Sequence, residues 1–333
     1  MTLQEEIAKR GARAVDYLTE YSEKWILPKE PLRTASLHYF YGGGKGFRPA
    51  MLQLVCGALG GDENMAISPA AAIEAVHVSS LLHDDYMDQD ETRRGIPAVW
   101  KKWNPTVAIL AGDVLIGVAF TLVGDLNVTP ELKYALSTEL GQIYVRLCEG
   151  QMRDIAFETT SFNDITLEAV KKMQYLKTGV LFEFSCVTGA RIALNKIEDP
   201  KIDLIRKYAK LAGTAFQIQD DLIGLLGKTE ETGKPVGADI RVGKKTLIAV
   251  HAAENANQSQ KSRLLEILGK HDGSDNEVHE CLEIMKEIGS IDYAKSTALE
   301  MAKEAVELTK ELPQNEQTKL LAAFAEYMVN RSY

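Results

Sequence analysis

Strand-like alternation is almost absent from these 333 residues, and cysteine is sparse. Without apolar-polar alternation between turn residues, a sheet-based core is excluded and an all-α fold is expected. The four cysteines, Cys56, Cys148, Cys186 and Cys281, show no paired spacing. That excludes a zinc-ligand pattern and a disulfide framework, so they are read as reduced thiols, mostly in the core. Positive charge is also short: 38 Lys and Arg face 47 Asp and Glu, a net charge of -9. A protein that coats nucleic acid through phosphate contacts is therefore excluded, and an anionic ligand needs local basic groups. The opening residues MTLQEEIAKR carry acids early and lack an apolar stretch; no secretory or transit peptide is expected, and the location expected is cytoplasmic. No membrane span is expected either. The apolar segment Pro105 to Val123 is interrupted by Asp113, weakened by Gly112 and Gly117, and followed by Asp125, which points to a buried core helix.

What is present is helical. Ile7, Ala14, Leu18 and Tyr21 recur at helical spacing, and the C-terminal third is a series of amphipathic segments rich in Glu and Lys. Asn104-Pro105, Thr129-Pro130 and Asp199-Pro200 each place a capping residue before a proline suited to the first helical position. Gly227 to Lys244 is too rich in glycine and charge for a helix interior and reads as a mobile loop. No fixed-period repeat or low-complexity linker divides the chain, so a single domain over residues 1–333 is expected, a large helical bundle.

Ser68 to Asp90, SPAAAIEAVHVSSLLHDDYMDQD, reads as a helix of small residues ending in acids. Asp84 and Asp88 fall one turn apart on one face, with Asp85 beside them. Such acids repel one another and oppose the helix dipole, so a cationic partner is expected. Arg93 and Arg94 follow at the helix end. Carboxylates suit Mg²⁺, which commonly bridges them to substrate phosphates, and arginine grips phosphate oxygens directly.

The segment AGTAFQIQDDLIGLLG repeats the theme with Asp220 and Asp221, Gln217 standing one turn earlier. An isolated Asp-Asp pair is usually surface charge, but this one precedes a loop carrying Lys234, Asp239 and Lys244. Two such helices facing each other could hold metal ions that neutralise charge developing on a departing diphosphate. A third element, YGGGKGFRP, offers Lys45 and Arg48 after three glycines. Its spacing differs from the phosphate loop of nucleotide hydrolases. His77, seven residues before Asp84, falls on the same helix face.

In combination these segments resemble the trans-type isoprenyl diphosphate synthases, from about Tyr41 to Thr246. GGGKGFRP resembles that family's isopentenyl diphosphate clamp, HDDYMDQDETRRG its first aspartate-rich motif and FQIQDD its second. AGD at Ala111 to Asp113, GQMRD at Gly150 to Asp154, KTG at Lys177 to Gly179 and the GK…D…GKKT loop are similar too. The resemblance implies that Lys45, Arg48, His77 and Arg94 bind isopentenyl diphosphate and that Arg93 holds the allylic diphosphate. It implies Mg²⁺ at Asp84, Asp88 and Asp220, with Asp85 and Asp221 supporting, and Lys177, Thr178, Gln217, Lys234 and Lys244 on the allylic side. The catalytic set so implied is Asp84, Asp85, Asp88, Arg93, Lys177, Asp220 and Asp221. Two positions depart from the family pattern: Gly46 stands where arginine is frequent, and Gly224 where many members carry a third aspartate.

The implied fold is the isoprenoid synthase bundle around a central cavity, usually a homodimer. The implied reaction is condensation of isopentenyl diphosphate with an allylic diphosphate. Val76, Ser79 and Ser80 lie on the helix below Asp84 and none is aromatic, which by resemblance points to geranylgeranyl diphosphate as product. Farnesyl or farnesylgeranyl diphosphate are the alternatives. A terpene cyclase is the nearest rival, but it needs no second diphosphate grip. A non-catalytic modulating subunit has no need of both aspartate clusters.

Overall fold

Three helices begin where capping chemistry places them. The Asn104 side chain accepts from Val107 N ahead of Pro105. Thr129 Oγ1 accepts from Leu132 N at 3.4 Å, and Asp199 Oδ1 from Lys201 N at 3.0 Å. Each satisfies a backbone donor that the first helical turn leaves open.

The structure, a computed structural model, describes residues 2–25, 31–227 and 237–330. It is helical almost throughout: α1 Leu3–Trp25, α2 Leu32–Tyr41, α3 Phe47–Ala58, α4 Ile67–Met87, α5 Val99–Lys102, α6 Pro105–Gly124, α7 Pro130–Thr159, α8 Leu167–Gln174, α9 Val180–Leu194 and α10 Pro200–Leu226. Further helices follow at Ala238–Val242, Leu247–Asn255, Gln258–Ile267, Asp275–Glu287, Ser290–Thr309 and Glu316–Asn330. The all-α expectation holds.

Contacts group the chain into two units that interleave along the sequence. The first comprises Met1–Tyr144, Leu181–Arg206 and Lys310–Leu321; the second comprises Val145–Val180, Lys207–Thr309 and Ala322–Tyr333. In the first, α4 and α6 pack along each other, with α1 and α3 against α4 and with α2 and α5 against α6. Ile7, Ala14, Leu18 and Tyr21 of α1 are all buried, as their spacing predicts. Glu63–Met87 and Pro105–Gly124 are each long and apolar enough to cross a membrane. Here they form core contacts, Ala108, Ala111, Leu115, Val118, Ala119 and Leu122 of α6 all being fully buried. In the second unit, Ile218, Leu222 and Leu225 of α10 join Leu247, Ile248 and Val250 in one apolar core.

Two local expectations differ from the structure. Arg93 and Arg94 are not a helix end: α4 stops at Met87, and β1 Thr92–Arg93 pairs antiparallel with β2 Ile96–Pro97. Arg94 (φ 53°) and Gly95 (φ 77°) both take the left-handed region, as a two-residue hairpin turn demands. Within the segment read as a mobile loop, Gly227 to Lys244, Ala238–Val242 is helical, between Gly237 and Gly243 with positive φ; residues 228–236 lie outside the described residues. The cysteines are mostly in the core, as expected: Cys56, Cys186 and Cys281 are buried and Cys148 is exposed.

Candidate active site

In the first unit, α4 presents Asp84 half-exposed and Asp88 exposed, whereas Asp85 is fully buried. The buried carboxylate is committed within the protein. Asp85 Oδ1 accepts from Arg93 Nε at 2.8 Å and from Nη2, and Oδ2 accepts from the Tyr39 hydroxyl. This is the cationic compensation that the acidic helix end requires. Burial works against the charged guanidinium of Arg93, but hydrogen bonding to Asp85 prevails and its pKa rises. Burial and the same carboxylate push the Tyr39 phenol up.

Arg94 turns the other way. Its Nη1 donates to Gly43 O and, at 3.3 Å, to Tyr39 O. A Cβ at Gly44 would stand 2.7 Å from Arg94 Nη1, so the glycine run leaves room for the guanidinium beside the loop. Arg48 Nη1 lies 3.4 Å from His77 Nε2. Desolvation, then Arg48, Arg94 and Arg93, hold the His77 pKa well below its ordinary value. Glu74, one turn before His77 and 4% exposed, has its carboxyl pushed up by burial and pulled down by Arg48 and Arg94. Lys45 is exposed on the same loop. Gly46 has φ 59°, and a Cβ there would come 2.9 Å from Gly11 Cα, so this backbone does not accommodate the arginine frequent in the family.

The second unit builds a parallel arrangement. Asp220 is half-exposed and Asp221 is 1% exposed. Asp221 accepts from Gln174 Nε2 at 2.6 Å and from Gln217 Nε2 at 3.5 Å, and lies 3.5 Å from Lys244 Nζ. Burial raises the Asp221 carboxyl to about 6 against the pull of Lys244. Lys244 is itself raised, Asp221 and Asp239 outweighing its desolvation. A Cβ at Gly224 would stand 2.8 Å from Asp239 Oδ2, so a carboxylate from the following segment occupies the space beside this glycine. Lys177 and Thr178 lie in a π-helical turn, Tyr175–Gly179, between α8 and α9, a distortion frequent at functional sites. Lys177 Nζ donates to Asp154 Oδ2 at 2.6 Å. Lys234 lies outside the described residues.

In both clusters, then, the first aspartate of the pair is half-exposed and the second is buried beside a cation. Among the described residues no three His, Cys, Asp or Glu side chains converge on a metal-sized point. Asp84 and Asp88 nevertheless fit Mg²⁺, which takes one or two carboxylates and completes its shell with water and phosphate oxygens. Below Asp84, Val76 and Ser79 are buried, and Ser79 Oγ has no hydrogen-bond partner among the described residues. Ser80 is half-exposed, its hydroxyl donating to His77 O at 2.8 Å.

Sequence reasoning missed Tyr39, Glu74 and Gln174, and named Asp154 only as the end of the GQMRD segment without its contact to Lys177. Glu74 was within reach, because it precedes His77 by three residues on the same face; the other three depend on tertiary contacts.

Comparison with known proteins finds relatives over nearly the whole chain. The family model for polyprenyl synthetase matches residues 29–285. A short chain isoprenyl diphosphate synthase of Methanothermobacter thermautotrophicus is 37% identical over 98% of this chain and 98% of its own. A geranylfarnesyl diphosphate synthase of Natronomonas pharaonis is 35% identical over 91% of each. The crystal structure of a geranylgeranyl pyrophosphate synthetase from Pyrococcus horikoshii superposes with a TM-score of 0.91 at 39% identity, covering 99% of this chain and 98% of that one.

Proposed function

The chain belongs to the polyprenyl synthetase family, and on that premise we propose that it is a Mg²⁺-dependent prenyltransferase acting as one functional domain. It condenses isopentenyl diphosphate head to tail with allylic diphosphates, with geranylgeranyl diphosphate as the main product. The observation that carries this reading is the divergence of two consecutive arginines: Arg93 is held by Asp85, while Arg94 is held by the backbone of Tyr39 and Gly43. Neighbouring guanidinium groups aimed at different surroundings serve two diphosphates better than one, which favours elongation over cyclisation.

Arg94, Arg48, His77 and Lys45 bind isopentenyl diphosphate, whose double bond must be held still beside the reacting carbon. Arg93, with Lys177, Thr178, Gln217, Lys234 and Lys244 of the second motif region, binds the allylic diphosphate. Asp84, Asp88 and Asp220 are the residues that would hold Mg²⁺. When bound, the metal supplies Lewis-acid stabilisation of charge on the leaving diphosphate. Asp85 and Asp221 keep Arg93 and Lys244 in place. The diphosphate leaving group accepts the final proton, so no protein general base is invoked. Exposed Ile109, Leu110 and Phe120 on α6 offer an apolar face for the second copy of a homodimer. The location proposed is cytoplasmic.

The test is incubation of the purified chain with isopentenyl diphosphate, Mg²⁺ and each allylic starter, followed by chromatography of dephosphorylated products. Elongation to a twenty-carbon alcohol is expected. Absence of elongation with every starter, or cyclic hydrocarbons in its place, overturns the reading.

A further inference from the structure

Tyr39 is fully buried near the C-terminal end of α2 and touches the supports of both arginines. Its hydroxyl donates to Asp85 Oδ2 and accepts from Val99 N at 3.2 Å, which satisfies both capacities of a phenol. Its carbonyl oxygen accepts from Arg94 Nη1 at 3.3 Å. The preceding residue, His38, places Nε2 3.0 Å from Pro97 O. Pro97 ends β2 and Val99 begins α5, so α2 grips the return arm of the arginine hairpin while Asp85 grips the outgoing arm at Arg93. A residue needed only for volume could be phenylalanine. The hydroxyl joins the Asp85 carboxylate directly to Val99 beyond the return arm, in addition to the strand pairing of Arg93 with Ile96.

We propose that Tyr39 is a positioning residue for the allylic diphosphate grip. Its hydroxyl fixes the Asp85 carboxylate in the orientation that receives Arg93 Nε and Nη2, and ties that pair to Val99 across the hairpin. The inference rests on the reading of Arg93 as an allylic diphosphate ligand. It also predicts an asymmetry. Tyr39→Phe deletes the hydroxyl but leaves the carbonyl contact to Arg94, so the allylic site should loosen while the isopentenyl site stays set.

The experiment is steady-state kinetics of Tyr39→Phe with both substrates, a double-mutant cycle with Arg93→Lys, and calorimetric binding of geranyl diphosphate to wild type and variant. Loss of a hydrogen bond to a charged group should raise the KM for the allylic substrate roughly tenfold. The KM for isopentenyl diphosphate should stay within about twofold. In the Arg93→Lys background Tyr39→Phe should add less than about twofold, the non-additivity expected of linked groups. Equal rises in both constants, additivity with Arg93→Lys, or a lowered melting temperature with both constants unchanged would make Tyr39 purely structural. If Tyr39→Phe does not fold, Asp85→Asn reads the same link from the other side, and absence of the same split overturns the proposal. Calorimetry separates the two levels. Equal binding by wild type and variant removes the positioning role alone, whereas a wild type that neither binds nor elongates geranyl diphosphate removes the functional reading and this proposal with it.

Discussion

Gly150 of α7 lies against the backbone of Lys177 so closely that a Cβ would stand 2.3 Å from the Lys177 amide nitrogen. The π-helical turn that displays Lys177 and Thr178 is thus seated on a glycine, within the GQMRD segment that also supplies Asp154 to the Lys177 ammonium. Backbone atoms cannot move aside as a side-chain tip can. Gly150→Ala should therefore destabilise the protein by about 1–3 kcal/mol and raise the KM for the allylic substrate by displacing Lys177. Denaturant melts and steady-state kinetics check this; wild-type values in both would mean that the turn adapts without cost.

The two halves of the first acidic pair should respond differently to truncation. Asp84→Ala and Asp88→Ala should each lower turnover roughly a thousandfold or more, since metal stabilisation of the leaving group is worth several kcal/mol, with little change in melting temperature. Chelation of Mg²⁺ should act likewise. Asp85→Ala should also unfold more easily, by about 2 kcal/mol. That is below the ~3–5 for a fully buried pair because the Arg93 side chain keeps 28% exposure. Near-normal activity of Asp84→Ala at saturating Mg²⁺ would reduce the cluster to surface charge.

A division of labour is expected among the cations. Lys45→Ala and Arg48→Ala should mainly raise the KM for isopentenyl diphosphate, as lost phosphate binding does. Lys177→Ala should impair use of the allylic substrate instead. Identical effects of all three on both substrates would contradict two separate pockets.

Much of this was legible in the sequence because it is local. Helical periodicity, the caps at Asn104, Thr129 and Asp199, and the Asp84/Asp88 spacing each follow from neighbours within a turn or two. The split between Arg93 and Arg94 was read only through the family resemblance; the hairpin that produces it was not legible, because Arg94 adopts φ 53° in a turn that its residue type disfavours. Tyr39 was hidden for another reason: it meets Asp85 across 46 residues of sequence, and nothing near position 39 announces that partner. Gly224 looked like a lost carboxylate, whereas the space beside it is taken by Asp239, supplied by the segment after α10.

His77 should leave a trace in stability against pH. Its folded pKa is depressed by burial and by Arg48, Arg94 and Arg93, so below the unfolded value of about 6.5 the unfolded chain binds this proton more readily. Stability should therefore fall as pH drops through 6.5 toward the folded pKa, by up to about 1.4 kcal/mol per pH unit from this group. Above that window it should contribute no slope. His77→Gln should flatten the corresponding part of a melting series between pH 7.5 and 5.5. An unchanged slope would mean that His77 titrates alike in both states.

Product length should be set along α4 below Asp84, where a growing apolar tail has to run away from the charged groups that hold its diphosphate. The structure separates the three positions there. Ser80 is half-exposed and one turn from Asp84, while Ser79 and Val76 are buried among neighbours. Ser80 keeps part of its surface exposed, so Ser80→Phe should fold normally and shorten the main product from geranylgeranyl toward farnesyl diphosphate by blocking the tail. Its native hydroxyl donates to the His77 carbonyl, a contact worth about 1 kcal/mol. Ser79→Phe meets a different situation. At zero exposure the ring must push packed groups apart, at a cost of about 1–3 kcal/mol or more, so shortening there should come with a lower melting temperature. Chromatography of dephosphorylated products alongside thermal melts distinguishes the two. If Ser80→Phe remains active with an unchanged product distribution, the tail does not pass Ser80, and another wall of the cavity sets the length.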